Sequence, residues 1–274
     1  MENLNQMFSS RVILTTLGSK VDDFLFSHQR VIIRALERAH KNSDMIGILG
    51  MEGMGKSSAV ASYLLTHDHV YYVRVGQSYS VKSFFHELAF QISGEFPPQS
   101  ENTFTTVKRL SYLLTKSTER KIIIIDDAGL LTKTKLGFWR ELRENTLSTT
   151  AFTFVGLQYF RDHLERQRQN GVIGVAEFIR RIQSWVTIES GLQEHEIVEF
   201  AAKKGISQEL MGALSATPIF TVAELENTIK NLLYGETLAT PRTKPRPPIR
   251  KSSKTKTQKV KKMSTYDDFE DDTI

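Results

Sequence analysis

Between about Ser27 and Gly235, short and continuously apolar runs alternate with stretches whose apolar residues return every three or four positions. Runs of that length bounded by turn residues predict buried strands, and the 3.6-residue recurrence predicts helices. Strands alternating with helical patterns in this way predict βαβ units and a mostly parallel sheet. In HQRVIIRALERAHK, residues Val31, Ile32, Ala35, Leu36 and Ala39 fall on one helical face, and a strand over Met45 to Leu49 follows. A second strand is predicted over Val70 to Val75, a third over Ile122 to Asp126 and a fourth over Ala151 to Val155. The third is apolar on both faces and so belongs in the middle of the sheet. Helices are predicted up to about Thr66 and over VKSFFHELAFQI, TVKRLSYLLTKS and KLGFWRELREN, with a polar helix, FRDHLERQRQN, after the fourth strand. Beyond Trp185 the pattern is helical only: GLQEHEIVEFAAKKG, SQELMGAL and IFTVAELENTIKNLL. The predicted organisation is an N-terminal extension (1–26), an α/β domain (27–190), a small helical domain (191–236) and a tail (237–274), with no internal repeat.

Composition changes this picture only at the end of the chain. The formal charge is +5, and residues 240–262 carry Lys and Arg without a single acid, while 267–272 read DDFEDD. Without these two segments the acids and bases of the body are equal in number, so the whole excess lies in the tail. Its Pro, Ser, Thr and Lys content leaves too little apolar surface to offset ordering, and disorder is expected there. The chain has no cysteine, which excludes disulfides, zinc ribbons, iron–sulfur clusters and thiol nucleophiles. The first 26 residues lack a basic segment leading into an apolar core, and no apolar run approaches the length of a membrane span. A cytoplasmic location is the expectation.

The chemistry is concentrated in two places. Gly50-Met51-Glu52-Gly53-Met54-Gly55-Lys56-Ser57 matches GxxxxGK[ST], with a predicted strand before it and a helix after it. That context is the one a phosphate-binding loop requires. Glycines at 50, 53 and 55 let backbone N–H groups converge on phosphate oxygens at a helix N-terminus, where the helix dipole also favours an anion. Lys56 is expected to reach the β and γ phosphates, Ser57 to hold Mg²⁺, and Ser58 to complete the loop. About seventy residues on, the run Ile122-Ile123-Ile124-Ile125-Asp126-Asp127 ends a buried strand in two carboxylates, the form of a Walker B element. Parallel sheets bind ligands beyond the carboxyl ends of their strands. Asp126 is therefore expected to bind Mg²⁺ through water, and Asp127 to orient or deprotonate the attacking water.

The loop GMEGMGKSS, the segment SVKSFFHELAFQI after the second strand, the block IIIIDDAGLL, the strand ending FVGLQ, and EFIRRIQSWVTI before the terminal helices resemble an AAA+ ATPase. More narrowly they resemble the target-selecting ATPases of DNA transposition, the phage Mu B type. The resemblance covers roughly residues 28–235. It implies a P-loop AAA+ sheet sandwiched by helices and followed by a helical lid. It also implies an ATP-dependent protein that oligomerises on duplex DNA and delivers that DNA to a transposase. Lys56, Ser57 and Asp126 match the Walker positions, and Asp127 stands where the family usually has glutamate, one methylene longer. Arg181 falls where the arginine finger would lie, with Arg180 as the alternative. The polar sensor after the fourth strand corresponds to Leu157 or Gln158, of which only Gln158 can hydrogen-bond. The lid arginine of the family has no counterpart in PIFTVAE. These departures suit a slow, regulatory ATPase better than a motor.

Duplex DNA binding needs Lys or Arg that contact phosphates rather than bases. Lys82, at the start of the helix after the second strand, and Lys108 with Arg109, on the next helix, are the candidates. Arg166 and Arg168 are weaker ones. The tail fits a tether to the transposase, a DNA-binding arm or a solubilising linker. Two other functions share the nucleotide residues: an AAA+ helicase loader, which would prefer single strands, and a nucleotide switch that never touches DNA.

Overall fold

The computed structural model describes residues 24–189 and 191–234. The extension up to residue 23 and the basic-then-acidic tail lie outside the described residues. Helix α1 (Ser27–Asn42) leads into β1 (Met45–Gly50), and the glycine-rich turn is followed by α2 (Lys56–Thr66). Then come β2 (Val70–Arg74), α3 (Val81–Ser93), α4 (Thr103–Thr115), β3 (Lys121–Asp126) and a single 3₁₀ turn over Ala128–Leu130. The α/β part is completed by α5 (Lys133–Asn145), β4 (Thr150–Gly156), α6 (Gln158–Gln169), α7 (Val175–Arg181) and β5 (Ser184–Ile188). Three helices close the described chain: α8 (Glu194–Lys203), α9 (Gln208–Ser215) and α10 (Val222–Leu233).

The strands form one five-stranded sheet in the order β2-β3-β4-β1-β5, and every pairing is parallel. Strand residues alternate between the two faces, so each face builds its own core. Ile46, Ile48, Ile122 and Ile124 pack with Ile32, Leu36, Val60 and Tyr63 of α1 and α2. On the opposite face Ile123, Ile125, Phe152 and Phe154 pack with Phe84 and Phe85 of α3, Leu110 of α4, Trp139 of α5 and Phe178 of α7. A third core joins Phe26, just before α1, to Phe200, Leu214, Leu225 and Ile229 of the last three helices.

Two elements depart from the sequence pattern. Strand β5 interrupts the stretch expected to be purely helical. It is five residues long at the sheet's edge and only Ile188 in it is buried, so its alternation is too weak to announce a strand. Helix α6 is not polar all round, because Phe160 and Leu164, four positions apart, are both buried. Two apolar residues on one face seat this helix, and the remainder of its surface is free to be charged.

Candidate nucleotide site

The strand order places β4 between β1 and β3. The carboxyl ends of these three strands therefore face one cleft, of about 310 Å³. It is lined by Glu52 to Ser58 from the loop and the start of α2, Arg74 from β2, Asp126 and Asp127 after β3, and Gly156 and Leu157 after β4. Gly53 and Gly55 have φ of 78° and 71°, a backbone conformation that glycine adopts without steric cost. Gly55 caps α2, whose first residue is Lys56.

Ser57, Asp126 and Asp127 lie side by side in this cleft. Ser57 Oγ donates to Asp126 Oδ2 at 2.9 Å. Asp126 is buried, and its other oxygen accepts the Asp127 N–H at 2.9 Å. Lys56 Nζ donates to the carbonyls of Gly50 and Met51 at 3.0 and 2.7 Å. Burial lowers the Lys56 pKa from its ordinary value, and the charges of Asp126, Asp127 and Glu52 oppose that shift. One hydroxyl and one carboxylate at hydrogen-bond distance are hard oxygen donors suited to Mg²⁺, which takes few protein ligands and keeps water and phosphate oxygens. Among the described residues no cluster of three or more His, Cys, Asp or Glu could hold a metal by itself.

Asp127 is itself in the left-handed region, φ 53°, which is uncommon for a non-glycine residue but tolerated by aspartate. Its Oδ2 accepts from Arg74 Nε at 2.6 Å. That ion pair, with its hydrogen bond first, raises the pKa of the Arg74 guanidinium. Arg74 is a cation of this cleft that sequence inspection missed. Its position as the last residue of β2, beside the acidic strand, is a signal that could have found it.

A second missed group braces the loop from behind. Three successive carbonyls of the loop are held by donors from elsewhere. Ala223 N–H of α10 bonds to Gly53 O at 3.1 Å, His28 Nε2 to Met54 O at 2.7 Å, and Gln29 Nε2 to Gly55 O at 3.1 Å. Burial lowers the His28 pKa, against the opposing pull of the Met54 carbonyl and of Glu196; because that carbonyl can only accept, Nε2 carries the hydrogen. Glu196 of α8 in turn accepts from Ser27 Oγ at 2.6 Å and lies 3.6 Å from Arg30. Burial favours the protonated acid, but the Ser27 hydrogen bonds outweigh it and hold the Glu196 pKa below the ordinary value. The terminal helices thus touch the phosphate loop directly and through the first turn of α1.

The other candidates lie outside the cleft. Gln158 is exposed at the start of α6, with Nε2 3.5 Å from Asp162 Oδ1; it is Leu157, its apolar neighbour, that lines the cleft. Arg181 ends α7, forms an ion pair with Glu144 of α5 and donates to Glu177 O at 2.6 Å. Arg180 beside it is exposed. Lys82 bonds to the carbonyl of Gln99, Lys108 lies 3.7 Å from Glu141 and 5.3 Å above the Phe104 ring, and Arg109 pairs with Glu101 at 2.6 Å.

A family model described as an AAA domain matches residues 39–164, which run from the end of α1 into α6. Among solved structures, the Aeropyrum pernix ORC1 protein in complex with DNA superposes with a TM-score of 0.59 at 13% identity, over 82% of this chain and 64% of that one. Cdc6p from Pyrobaculum aerophilum gives 0.51 at 14% identity, over 68% of this chain and 51% of that one. The chain thus spans about half of the Pyrobaculum protein and under two thirds of the Aeropyrum ORC1 protein. The ADP form of Aeropyrum pernix ORC2 gives 0.50 at 10% identity, over 77% and 70% of the two chains. No curated protein matches the sequence. The fold is an AAA+ P-loop fold similar to that of the Cdc6 and ORC proteins. Among the described residues no helix is long and apolar enough to cross a membrane.

Proposed function

We propose that this chain binds ATP with Mg²⁺, hydrolyses it slowly, and in its ATP form assembles with further copies of itself on duplex DNA. The observation that carries the nucleotide reading is the meeting of Lys56, Ser57 and Asp126 in one cleft at the strand ends. Lys56 would supply the positive charge for the β and γ phosphates, Ser57 and Asp126 would hold the cation, and the loop N–H groups would bind phosphate oxygens. Bound Mg²⁺ neutralises charge that develops on the phosphates. Asp127 would position the attacking water, but its carboxylate is both a methylene short and held by Arg74, which suits slow turnover. Arg181, with Arg180 as the alternative, would complete a neighbour's site. Gln158 would act as the polar sensor only if α6 moved.

The resemblance to transposition target selectors supports delivery of duplex DNA to a transposase, with Lys82, Lys108 and Arg109 on phosphates and the tail as tether. A second reading, an AAA+ DNA-replication factor such as a helicase loader, is favoured by the likeness in fold to Cdc6p and to an ORC1 protein in complex with DNA. Fluorescence anisotropy of labelled duplex and single-stranded DNA, with and without a slowly hydrolysed ATP analogue, tests both. Tight duplex binding that needs the analogue is expected. A preference for single strands favours the second reading, and no DNA binding in any nucleotide state overturns both.

A further inference from the structure

The carboxylate assigned to the metal is not held by Ser57 alone. Asp126 Oδ2, the oxygen that accepts from Ser57 Oγ, also accepts the phenolic hydroxyl of Tyr72 at 3.0 Å, and that bond is buried. Tyr72 lies on β2 opposite Ile124 of β3, two positions before the pairing of Arg74 with Asp126. Alternate residues of a strand share a face, so Tyr72, Arg74 and Asp126 all point to the side of the sheet on which α2 and Ser57 lie. The tyrosine is 2% exposed. Burial first, then the Asp126 charge and the hydrogen bond to it, push the Tyr72 pKa far upward. A carboxylate oxygen can only accept, so the Tyr72 hydroxyl is the donor of this bond.

A buried carboxylate that shares a cleft with a lysine has an alternative partner. It can face Ser57, or it could swing toward the Lys56 ammonium, which lines the same cleft. The second arrangement would occupy the cation needed for phosphates and deprive Ser57 of its acceptor, leaving the serine oxygen unoriented. We propose that Tyr72 is a positioning residue for the divalent cation: its hydroxyl pins Asp126 Oδ2 on Ser57 and so aims the serine oxygen's lone pairs toward the metal. This inference rests on the nucleotide reading above. A hydrogen bond to a charged, buried group accounts for about a tenfold or larger preference between arrangements. The sequence motifs do not contain this residue, because it lies on the neighbouring strand and meets Asp126 only through sheet register.

The test measures the affinity of full-length protein for a fluorescent ADP analogue in excess Mg²⁺ and in chelator, for wild type, Tyr72→Phe, Ser57→Ala and the double variant. The wild type is expected to bind more tightly with Mg²⁺. Tyr72→Phe should lose most of that gain, about tenfold, while its affinity in chelator stays within about twofold. Adding Tyr72→Phe to Ser57→Ala should change nothing further, because both act through one oxygen. Titration of bound Mn²⁺ by electron paramagnetic resonance should give the same ranking. An undiminished Mg²⁺ gain in Tyr72→Phe would overturn the proposal, as would an equal loss with and without the metal, which marks a purely structural role. Absence of nucleotide binding by the wild type would instead overturn the nucleotide reading on which it rests.

Discussion

The carboxyl end of strand β2 and the two helices that follow it make an instructive pair. At the carboxyl end, Tyr72 and Arg74 reach two acids at 3.0 and 2.6 Å, and polar groups from the loop after β1, from α2 and from the end of β3 converge on one cleft. On α3 and α4, which follow, each basic candidate has a partner within the same chain. Lys82 has a carbonyl, Lys108 has Glu141, and Arg109 has Glu101. The first region is built so that groups distant in sequence share a focus; the second disperses its charges over a surface. Convergence is what distinguishes a site from a set of dispersed charges, and an exposed pair such as Lys108–Glu141 is worth little by itself. The α3–α4 surface instead carries exposed aromatic residues, Phe104 and Tyr112 on either side of Lys108.

The sharpest way to break the comparison is to remove the cation at the focus. Lys56→Ala should lower nucleotide affinity by about a hundredfold, the cost of truncating one partner of a desolvated charge pair. Its thermal stability should hardly change, because Lys56 bonds only to the loop's own carbonyls. Fluorescence titration and a melting curve check both halves.

Next in size is the release of Asp127. Arg74→Ala should raise the steady-state ATPase rate by up to about fivefold, the equivalent of one exposed ion pair. Asp127→Glu should raise it too, by restoring the missing methylene. A fall in rate with Arg74→Ala would mean that the guanidinium serves the phosphates rather than restraining the acid.

The parts of this architecture that were legible in the sequence are those coded by local spacing. The phosphate loop, the acidic end of β3 and the apolar faces of α1 to α5 depend on neighbours within a few residues, although Val31, expected on the α1 face, is exposed. The braces on the loop do not. His28 and Gln29 look like ordinary polar positions at the start of α1, and Ala223 contributes only a backbone N–H. Nothing in their own surroundings marks them, because their partners lie 26 positions away or further. Strand β5 was equally illegible, for want of buried residues. Arg181 was placed by resemblance alone, and its ion pair with Glu144 depends on how α5 packs against α7.

Smaller effects are expected on the dispersed surface. Lys82→Ala, Lys108→Ala or Arg109→Ala should each weaken duplex binding by no more than about fivefold. Each that truly contacts a phosphate should reduce the log–log salt slope by about 0.9. Salt titrations of the three variants on one duplex provide the check, and three unchanged slopes would remove this face from the DNA interface.

The smallest effect is a pH dependence of the contact between α8 and the first turn of α1. Glu196 has a folded-state pKa below its ordinary value of 4.5. Its contribution to stability is therefore complete above that value and is lost as the pH falls through the lower, folded one. Glu196→Gln should flatten this acidic limb of the stability curve, read from chemical denaturation between pH 3 and 6, while lowering stability at neutral pH.

The central claim, that nucleotide at the loop licenses assembly on DNA, is tested most directly by electron microscopy of the full-length protein. Four samples decide it: with and without a slowly hydrolysed ATP analogue, each with and without duplex DNA. Ordered rings or filaments on DNA that form only with the analogue, and that Lys56→Ala fails to form, are the predicted result. Assemblies that form equally well without nucleotide, or a protein that stays monomeric in all four samples, would contradict it.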